Sequence, residues 1–341
     1  MKRSLLPYLC CPACHDGRLH AVPFLETSKE IIRGILRCRS CHSWYLIENR
    51  ILELVLPNLN EERRTAFFQA YHPRFSKLRI SPPPASKSDA TSNAKKKQSA
   101  FFDSFSGHYV LETQTFWRAY YHHALMQFRQ YLSPGSLFLD IGSGKGLSSL
   151  PLLSDGHTVI GIDISRAMIA DAIRRADSLH HVTAHYFVAD AENLPFKKGI
   201  FDACIGFGIL HHVTSPDTTI LEIASSLKKN GIYFGHENNK TFFRPLFDLL
   251  MKVFTLWEEE AGEHQLLSEE ELRASCERAG MKLSVSTHVF LPPHLFNLLP
   301  YSWSYALMKT TDSFFQKIPY LSHQGGTLIF AAHKTASRGT R

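Results

Sequence analysis

The stretch Ser136-Leu137-Phe138-Leu139-Asp140-Ile141-Gly142-Ser143-Gly144-Lys145-Gly146-Leu147 constrains the fold of this chain more tightly than any other. Its apolar run, Leu137 to Ile141, reads as a strand buried on both faces. Gly142 and Gly144 let the backbone turn sharply and approach a ligand closely. A helix is expected just beyond, its first N–H groups pointing into the same crevice. A dinucleotide fingerprint would need G-x-G-x-x-G, and Leu147 stands where its third glycine would be. A P-loop would need a hydroxyl after its Gly-Lys pair, and Gly144-Lys145-Gly146 has none. Asp140 sits at the carboxyl edge of the strand, where open α/β sheets bind ligands. Its carboxylate would repel a pyrophosphate and attract a cationic amino-acid moiety.

The next segments repeat the pattern. Thr158 to Asp163 is a second apolar strand ending in an acid, with Ser165 placed as a helix N-cap. An acid there can accept hydrogen bonds from both hydroxyls of a ribose. His185 to Glu192 reads as a third strand leading to Asp190, which suits an adenine amino group. Phe201 to Gly208 reads as a fourth, running into Leu210-His211-His212, and Gly231 to Glu237 as a fifth.

This succession resembles the class I S-adenosylmethionine-dependent methyltransferases, whose first motif is D-x-G-x-G-x-G. The resemblance covers roughly Phe105 to Lys334 and includes Asn193-Leu194-Pro195-Phe196 followed by Phe201-Asp202. It implies an α/β fold, a Rossmann-like seven-stranded sheet with helices on both faces. It implies S-adenosylmethionine as cofactor, with Asp140, Gly142, Gly144 and Gly146 at its amino-acid end. Asp163 and Ile164 would hold the ribose, Asp190 and Ala191 would meet the adenine, and Gly206 would line the same crevice.

Ahead of this region, Cys11-Pro12-Ala13-Cys14 and Cys38-Arg39-Ser40-Cys41 form two C-x-x-C knuckles. The gap between them slightly exceeds the usual zinc-ribbon range, but a β-hairpin over Leu19 to Phe24 and Glu30 to Leu36 can fill it. Four thiolates suit a closed tetrahedral zinc site, and so small a unit needs the metal to fold. The segment Leu9 to Leu54 resembles the zinc ribbon found beside or fused to many methyltransferases, including the strand Trp44-Tyr45-Leu46-Ile47 after the second knuckle. Structural Zn2+ on Cys11, Cys14, Cys38 and Cys41 is therefore expected. Two disulfides, disfavoured by a reducing cytoplasm, are one alternative, and a degenerate ribbon without metal is another. Cys10 could exchange with Cys11, and His42 is an alternative ligand. Cys204 and Cys276 read as inert buried thiols.

Three units follow from composition: a ribbon over 1–57, a polar helix and disordered linker over 58–99, and the transferase domain over 100–341. The linker assignment rests on Ser81-Pro82-Pro83-Pro84 and the Ser/Asn/Lys-rich run to Ser99, where Lys95-Lys96-Lys97 is expected to stay solvated, contact with phosphates being the alternative. An aromatic helix should run from Glu112 to Tyr131. Two apolar insertions, at about 241–280 and 291–320, are expected to cap the site, the first carrying a helix over Thr241 to Trp257. They suit an apolar acceptor or a lipid-touching surface, or simply pack within the domain. No run of apolar residues is long enough to span a bilayer, so the expected place is the cytoplasm, with peripheral membrane contact as an addition.

Methyl transfer to a hydroxyl, amine or enol-like carbon is helped by a positioned base. His211 and His212 after the fourth strand, and His236 and Glu237 at the end of the fifth, are the candidates, although a Leu-His-His run is often structural in the family. Three functions stay open. The first is methylation of a small or lipid-like acceptor, as in ubiquinone and menaquinone biosynthesis. The second is methylation of rRNA or tRNA, which the net charge of +7, the pI near 9.0 and the ribbon support. The third is a non-catalytic partner that binds the cofactor. DNA is not an expected partner.

Overall fold

The computed structural model of the chain describes residues 1–83, 89–105, 114–180, 182–241 and 266–335. The front of the chain is a four-stranded antiparallel sheet in sequence order: β1 (Leu19–Glu26), β2 (Ile31–Cys38), β3 (Trp44–Glu48) and β4 (Ile51–Leu52). The expected hairpin pairs Leu19 with Cys38, so the strands span the gap between the two knuckles. Helices α1 (Glu61–Ala70) and α2 (His72–Lys77) follow. Their Phe67 and Phe75 bury against Ile35, Trp44 and Leu46. The buried Arg64 guanidinium lies 4.4 Å from the Trp44 ring centre and donates to the Trp44 carbonyl at 3.1 Å.

The larger unit contains α3 (Ala90–Phe105), α4 (Thr115–Arg129), β5 (Leu137–Ile141), β6 (Thr158–Asp163), α5 (Arg166–Asp177), β7 (Thr183–Val188), β8 (Phe201–Phe207), α6 (Pro216–Ser226) and β9 (Leu227–Asn238). It ends with α7 (Glu269–Arg278), β10 (Met281–His288), α8 (Pro293–Asn297), α9 (Tyr301–Phe315) and β11 (Thr327–Lys334). The sheet order is β10-β11-β9-β8-β5-β6-β7. β7, β6, β5, β8 and β9 run parallel, and β11 inserts antiparallel between β9 and β10. The order reverses next to β5, so a crevice opens above the carboxyl ends of β5, β6 and β8. One apolar core lies around Leu139, Ile160, Phe187 and Tyr233, the other around Phe128, Phe138, Val159 and Phe234. Alternate residues along β5 and β6 thus fall into different cores, as burial on both faces requires.

Helix starts follow the sequence signals. Ser165 and Ser215 accept from the N3 backbone N–H of α5 and α6, and Ser268 and Glu271 form a reciprocal capping box on α7. Two expectations need correction. No α-helix follows the glycine turn: Pro151 opens a short 3₁₀ segment, Leu150–Asp155, which the left-handed Gly156 ends. The run before Ser99 is also no coil throughout, because residues from Ala90 belong to α3. Asp89 caps it, its Oδ1 accepting from both Ser92 N–H and Ser92 Oγ at 2.7 Å. The helix expected over Thr241 to Trp257 lies outside the described residues, apart from Thr241. Within the second insertion, α9 packs on α4.

The ribbon sits on the β7 edge of the large sheet. Leu54 N–H donates to Val188 O at 2.8 Å, and Glu53 forms a parallel bridge with Val188. Cys10 N–H donates to Pro195 O at 2.9 Å and Lys197 N–H to Tyr8 O at 3.0 Å. Glu53, 2% exposed, accepts from Arg63 of α1 at 2.8 Å and Arg166 of α5 at 3.1 Å. Two guanidinium groups compensate its buried charge and tie three elements together.

Candidate active site

The glycine turn after β5 is held in left-handed conformations, with φ of +67° at Gly142, +49° at Gly144 and +78° at Gly146. A Cβ at Gly142 would stand 2.8 Å from Ile209, and one at Gly146 would stand 3.0 Å from Tyr186 Oη. The turn therefore has to be glycine for steric as well as conformational reasons. Asp163, at the end of β6, accepts from Gly144 N–H at 2.9 Å and Ser165 N–H at 2.8 Å. These bonds fix the carboxylate beside the turn and leave lone pairs for further donors. Burial pushes its pKa up to about 6.

Asp140 lies deeper. It is 1% exposed and accepts from Ser149 Oγ, which also meets Tyr186 Oη at 2.8 Å. Burial pushes its pKa up to about 7. Its carboxylate thus braces the turn from below as much as it faces the crevice. Asp190 Oδ1 accepts from Glu192 N–H at 3.0 Å beyond β7, next to Ala191. Gly206 lies in β8 over Ile141, and a Cβ there would come within 2.9 Å of that side chain.

Sequence reasoning missed the element that crosses this crevice. On α3, Lys95 pairs with Asp190 at 2.8 Å and with Glu192 at 2.9 Å. One turn on, Gln98 Nε2 lies 3.0 Å from His212 Nδ1, and Ser99 Oγ donates to Ile164 O at 3.1 Å. Phe102 sets its ring edge-on to His212 at 5.2 Å. Asp103 Oδ1 accepts from Ser165 Oγ at 2.6 Å and Ala167 N–H at 2.9 Å, so it also caps α5. The helix touches the ends of β6, β7 and β8 in one stripe.

At the ends of β8 and β9 the structure brings the four acid–base candidates together. His211 Nδ1 is 2.6 Å from Glu237 Oε2, and Glu237 Oε1 accepts from Leu210 N–H at 2.7 Å. A carboxylate accepting on both oxygens puts the imidazole proton on Nδ1 and the basic lone pair on Nε2. The His211 and His212 rings lie 4.0 Å apart. His236 is enclosed by Phe207 at 4.8 Å, Tyr120 at 5.1 Å and Tyr121 at 5.4 Å. Burial pushes its pKa down to about 3, so it stays neutral. Neither of its ring nitrogens has a partner among the described residues. An orphaned neutral imidazole in an aromatic wall can donate to or accept from a polar group of a bound molecule.

The four ribbon cysteines converge as well. Cys11 Sγ lies 3.6 Å from Cys41 Sγ, and Cys14 Sγ lies 3.6 Å from Cys38 Sγ. Metal–sulfur bonds of about 2.3 Å give tetrahedral edges of about 3.8 Å, whereas a disulfide needs about 2.05 Å. The donor set and spacing therefore suit one tetrahedral ion. Cys11 also meets Tyr45 Oη at 2.9 Å. Cys10 does not compete, since its thiol donates to Phe196 O at 3.1 Å, and His42 is not in the cluster.

Residues 139–235 match the family described as a methyltransferase domain. The ubiquinone biosynthesis O-methyltransferase of Pelagibacter ubique is 38% identical over 118 residues, covering 35% of this chain and 48% of the relative. The 18S rRNA (guanine-N(7))-methyltransferase of Bos taurus is 30% identical over 141 residues, covering 40% and 44%. The tRNA (carboxymethyluridine(34)-5-O)-methyltransferase alkbh8 of Xenopus tropicalis is 29% identical over 154 residues, covering 44% and 22%. The chain thus spans at most about half the length of these relatives. In fold, it superposes at a TM-score of 0.51 and 20% identity on a chain from the complex of the Haloferax volcanii Trm112 methyltransferase activator, covering 70% of this chain and 98% of that one. In the cradle formed by the glycine turn, Ser143 Oγ is buried and unpartnered among the described residues, a polar group that suits the sulfonium nucleotide such domains use. Strand order, turn and family match agree that residues 139–235 carry a methyltransferase domain of the class I S-adenosylmethionine-dependent kind.

Proposed function

We propose that this enzyme methylates a hydroxyl of a small, largely apolar acceptor. The observation that carries this reading is the His211–Glu237 dyad beside the His236 aromatic wall. Bound S-adenosylmethionine supplies an electrophilic methyl group on a sulfonium. Asp163 would hold the ribose, Asp190 the adenine, and the Gly142–Gly146 turn with Asp140 the amino-acid end. Glu237 keeps the His211 proton on Nδ1, so Nε2 can take the acceptor's hydroxyl proton as the oxygen attacks. His236 and Tyr121 orient the acceptor, and the wall keeps water out. Exposed apolar side chains at Leu298, Trp303 and Phe314, on and beside α8 and α9, suit an acceptor that partitions into lipid and a peripheral membrane contact. The quinone-pathway relative supports the same class. Zinc, held by Cys11, Cys14, Cys38 and Cys41, supplies the ribbon's folding energy.

RNA is the second reading, supported by the rRNA and tRNA relatives and the net charge of +7. A transfer assay with methyl-labelled cofactor separates the two. Phenolic lipids in detergent should become labelled, and total RNA should not. Labelling confined to RNA, with binding that weakens steeply as salt is raised, would reverse the assignment. Cofactor binding without labelling of any acceptor would leave a non-catalytic partner protein.

A further inference from the structure

A second cluster of metal-ligating side chains lies outside both the cofactor crevice and the ribbon. His123 is on α4, His288 ends β10, and Asp312 is near the end of α9. Each offers one ligand atom, and the three atoms lie within 4.8 Å of one another. His288 Nδ1 is 2.8 Å from Asp312 Oδ2. Two donors about 2.1 Å from one ion and roughly at right angles would be about 3.0 Å apart. The other polar atoms are anchored. Ser286 Oγ is 2.9 Å from His288 Nε2, Val289 N–H donates to Asp312 Oδ1 at 3.0 Å, and the Gln127 amide is 2.9 Å from His123 Nε2. Such outer partners orient histidine and carboxylate ligands in metal sites. A His–Asp ion pair would need no second imidazole, yet the His123 ring lies 5.4 Å from that of His288. His288 and Asp312 are each 4% exposed, so the cluster is held in the interior.

We propose that His123, His288 and Asp312 bind a divalent first-row transition ion, zinc foremost. Two imidazoles and one carboxylate suit such ions better than magnesium or calcium, and three protein ligands leave a position for water. The ion ties the end of edge strand β10 to α4 and α9. One turn earlier on α4, Tyr120 stands against His236, so the same ion stiffens the acceptor wall.

The test uses untagged full-length protein equilibrated with Co2+. One saturable cobalt equivalent is expected whose absorption lacks thiolate charge transfer, which separates it from cobalt on the ribbon cysteines, and Zn2+ should displace it. His123→Gln and Asp312→Asn should each abolish that equivalent. The amide introduced by Asp312→Asn can still accept from Val289 N–H, and His123 is only half-buried, so both variants should keep the wild-type circular dichroism and the metal on the cysteines. Absence of thiolate-free cobalt in the wild-type protein, or uptake unchanged in both variants, overturns the proposal. Neither outcome depends on methyl transfer.

Discussion

Asp163 is held by two backbone N–H groups, yet burial raises its pKa to about 6. In the proposed ribose contact only the ionised carboxylate would accept from both hydroxyls, so cofactor binding would favour the deprotonated form. Affinity should be full above pH 6 and fall as the pH drops through it, by about tenfold between pH 7 and pH 5. Calorimetric titration across that range checks the sign, and proton release should appear as a buffer-dependent enthalpy. Asp163→Ala removes two bonds to a charged group and should weaken binding about a hundredfold, with the circular dichroism unchanged. His211 differs, because its proposed role is toward the acceptor rather than the cofactor. His211→Ala should lower kcat by about 10²- to 10⁴-fold while cofactor affinity holds. Glu237→Gln should fall in the same direction, since its single amide oxygen cannot accept from both Leu210 N–H and His211 Nδ1 and no charge faces the imidazolium. Equal loss of cofactor binding in both variants would make this pair structural.

Strands β5 to β8 could be read from the sequence because each is an apolar run buried on both faces and closed by an acid, turn or helix cap. Helix α3 could not, for the opposite reason. Its inward stripe is Ser92, Lys95, Gln98, Ser99, Phe102 and Asp103, which has helical spacing but is mostly polar because the crevice it covers is polar. Hydrophobic periodicity gives no signal there, and a Ser/Asn/Lys composition reads as linker. The usable sign was Asp89 three residues before Ser92, a capping pattern. The His211–Glu237 pairing was legible only as candidates, since pairing depends on β8 and β9 being neighbours. If α3 closes over the bound cofactor, its Asp103 anchor should govern exit. Asp103→Ala removes the acceptor for Ser165 Oγ and Ala167 N–H and should speed cofactor dissociation about tenfold, at a cost of about 1 kcal/mol to stability. Stopped-flow displacement and thermal unfolding measure the two effects separately. An unchanged dissociation rate in a destabilised variant would make Asp103 a helix cap and nothing more.

Across the whole molecule, the ribbon and the transferase share a boundary that runs along the adenine side of the crevice. Val188, two residues before Asp190, bonds Leu54 of the ribbon. Asn193 donates to Pro12 O at 3.0 Å, and Pro195 and Phe196 take the backbone and thiol of Cys10. The loop that presents Asp190 is thus clamped by residues directly before and after Cys11. Four thiolates spread over two knuckles cannot keep that shape by apolar packing alone, because so small a unit has little core. Removing the proposed zinc should therefore do more than unfold the first residues. The loop would lose its anchor, and cofactor affinity should fall several-fold along with the melting temperature. Cys14→Ser tests this more cleanly than chelation, since Cys14 is exposed and its sulfur lies beside Cys38. Calorimetry with S-adenosylhomocysteine on the variant, beside its zinc content and melting curve, gives the answer. Lost zinc with unaltered nucleotide affinity would mean that Leu54 and Glu53 hold the boundary without the knuckles. Lost zinc with weakened affinity and intact transferase secondary structure would mean that the metal reaches the crevice through the Asn193–Phe196 loop.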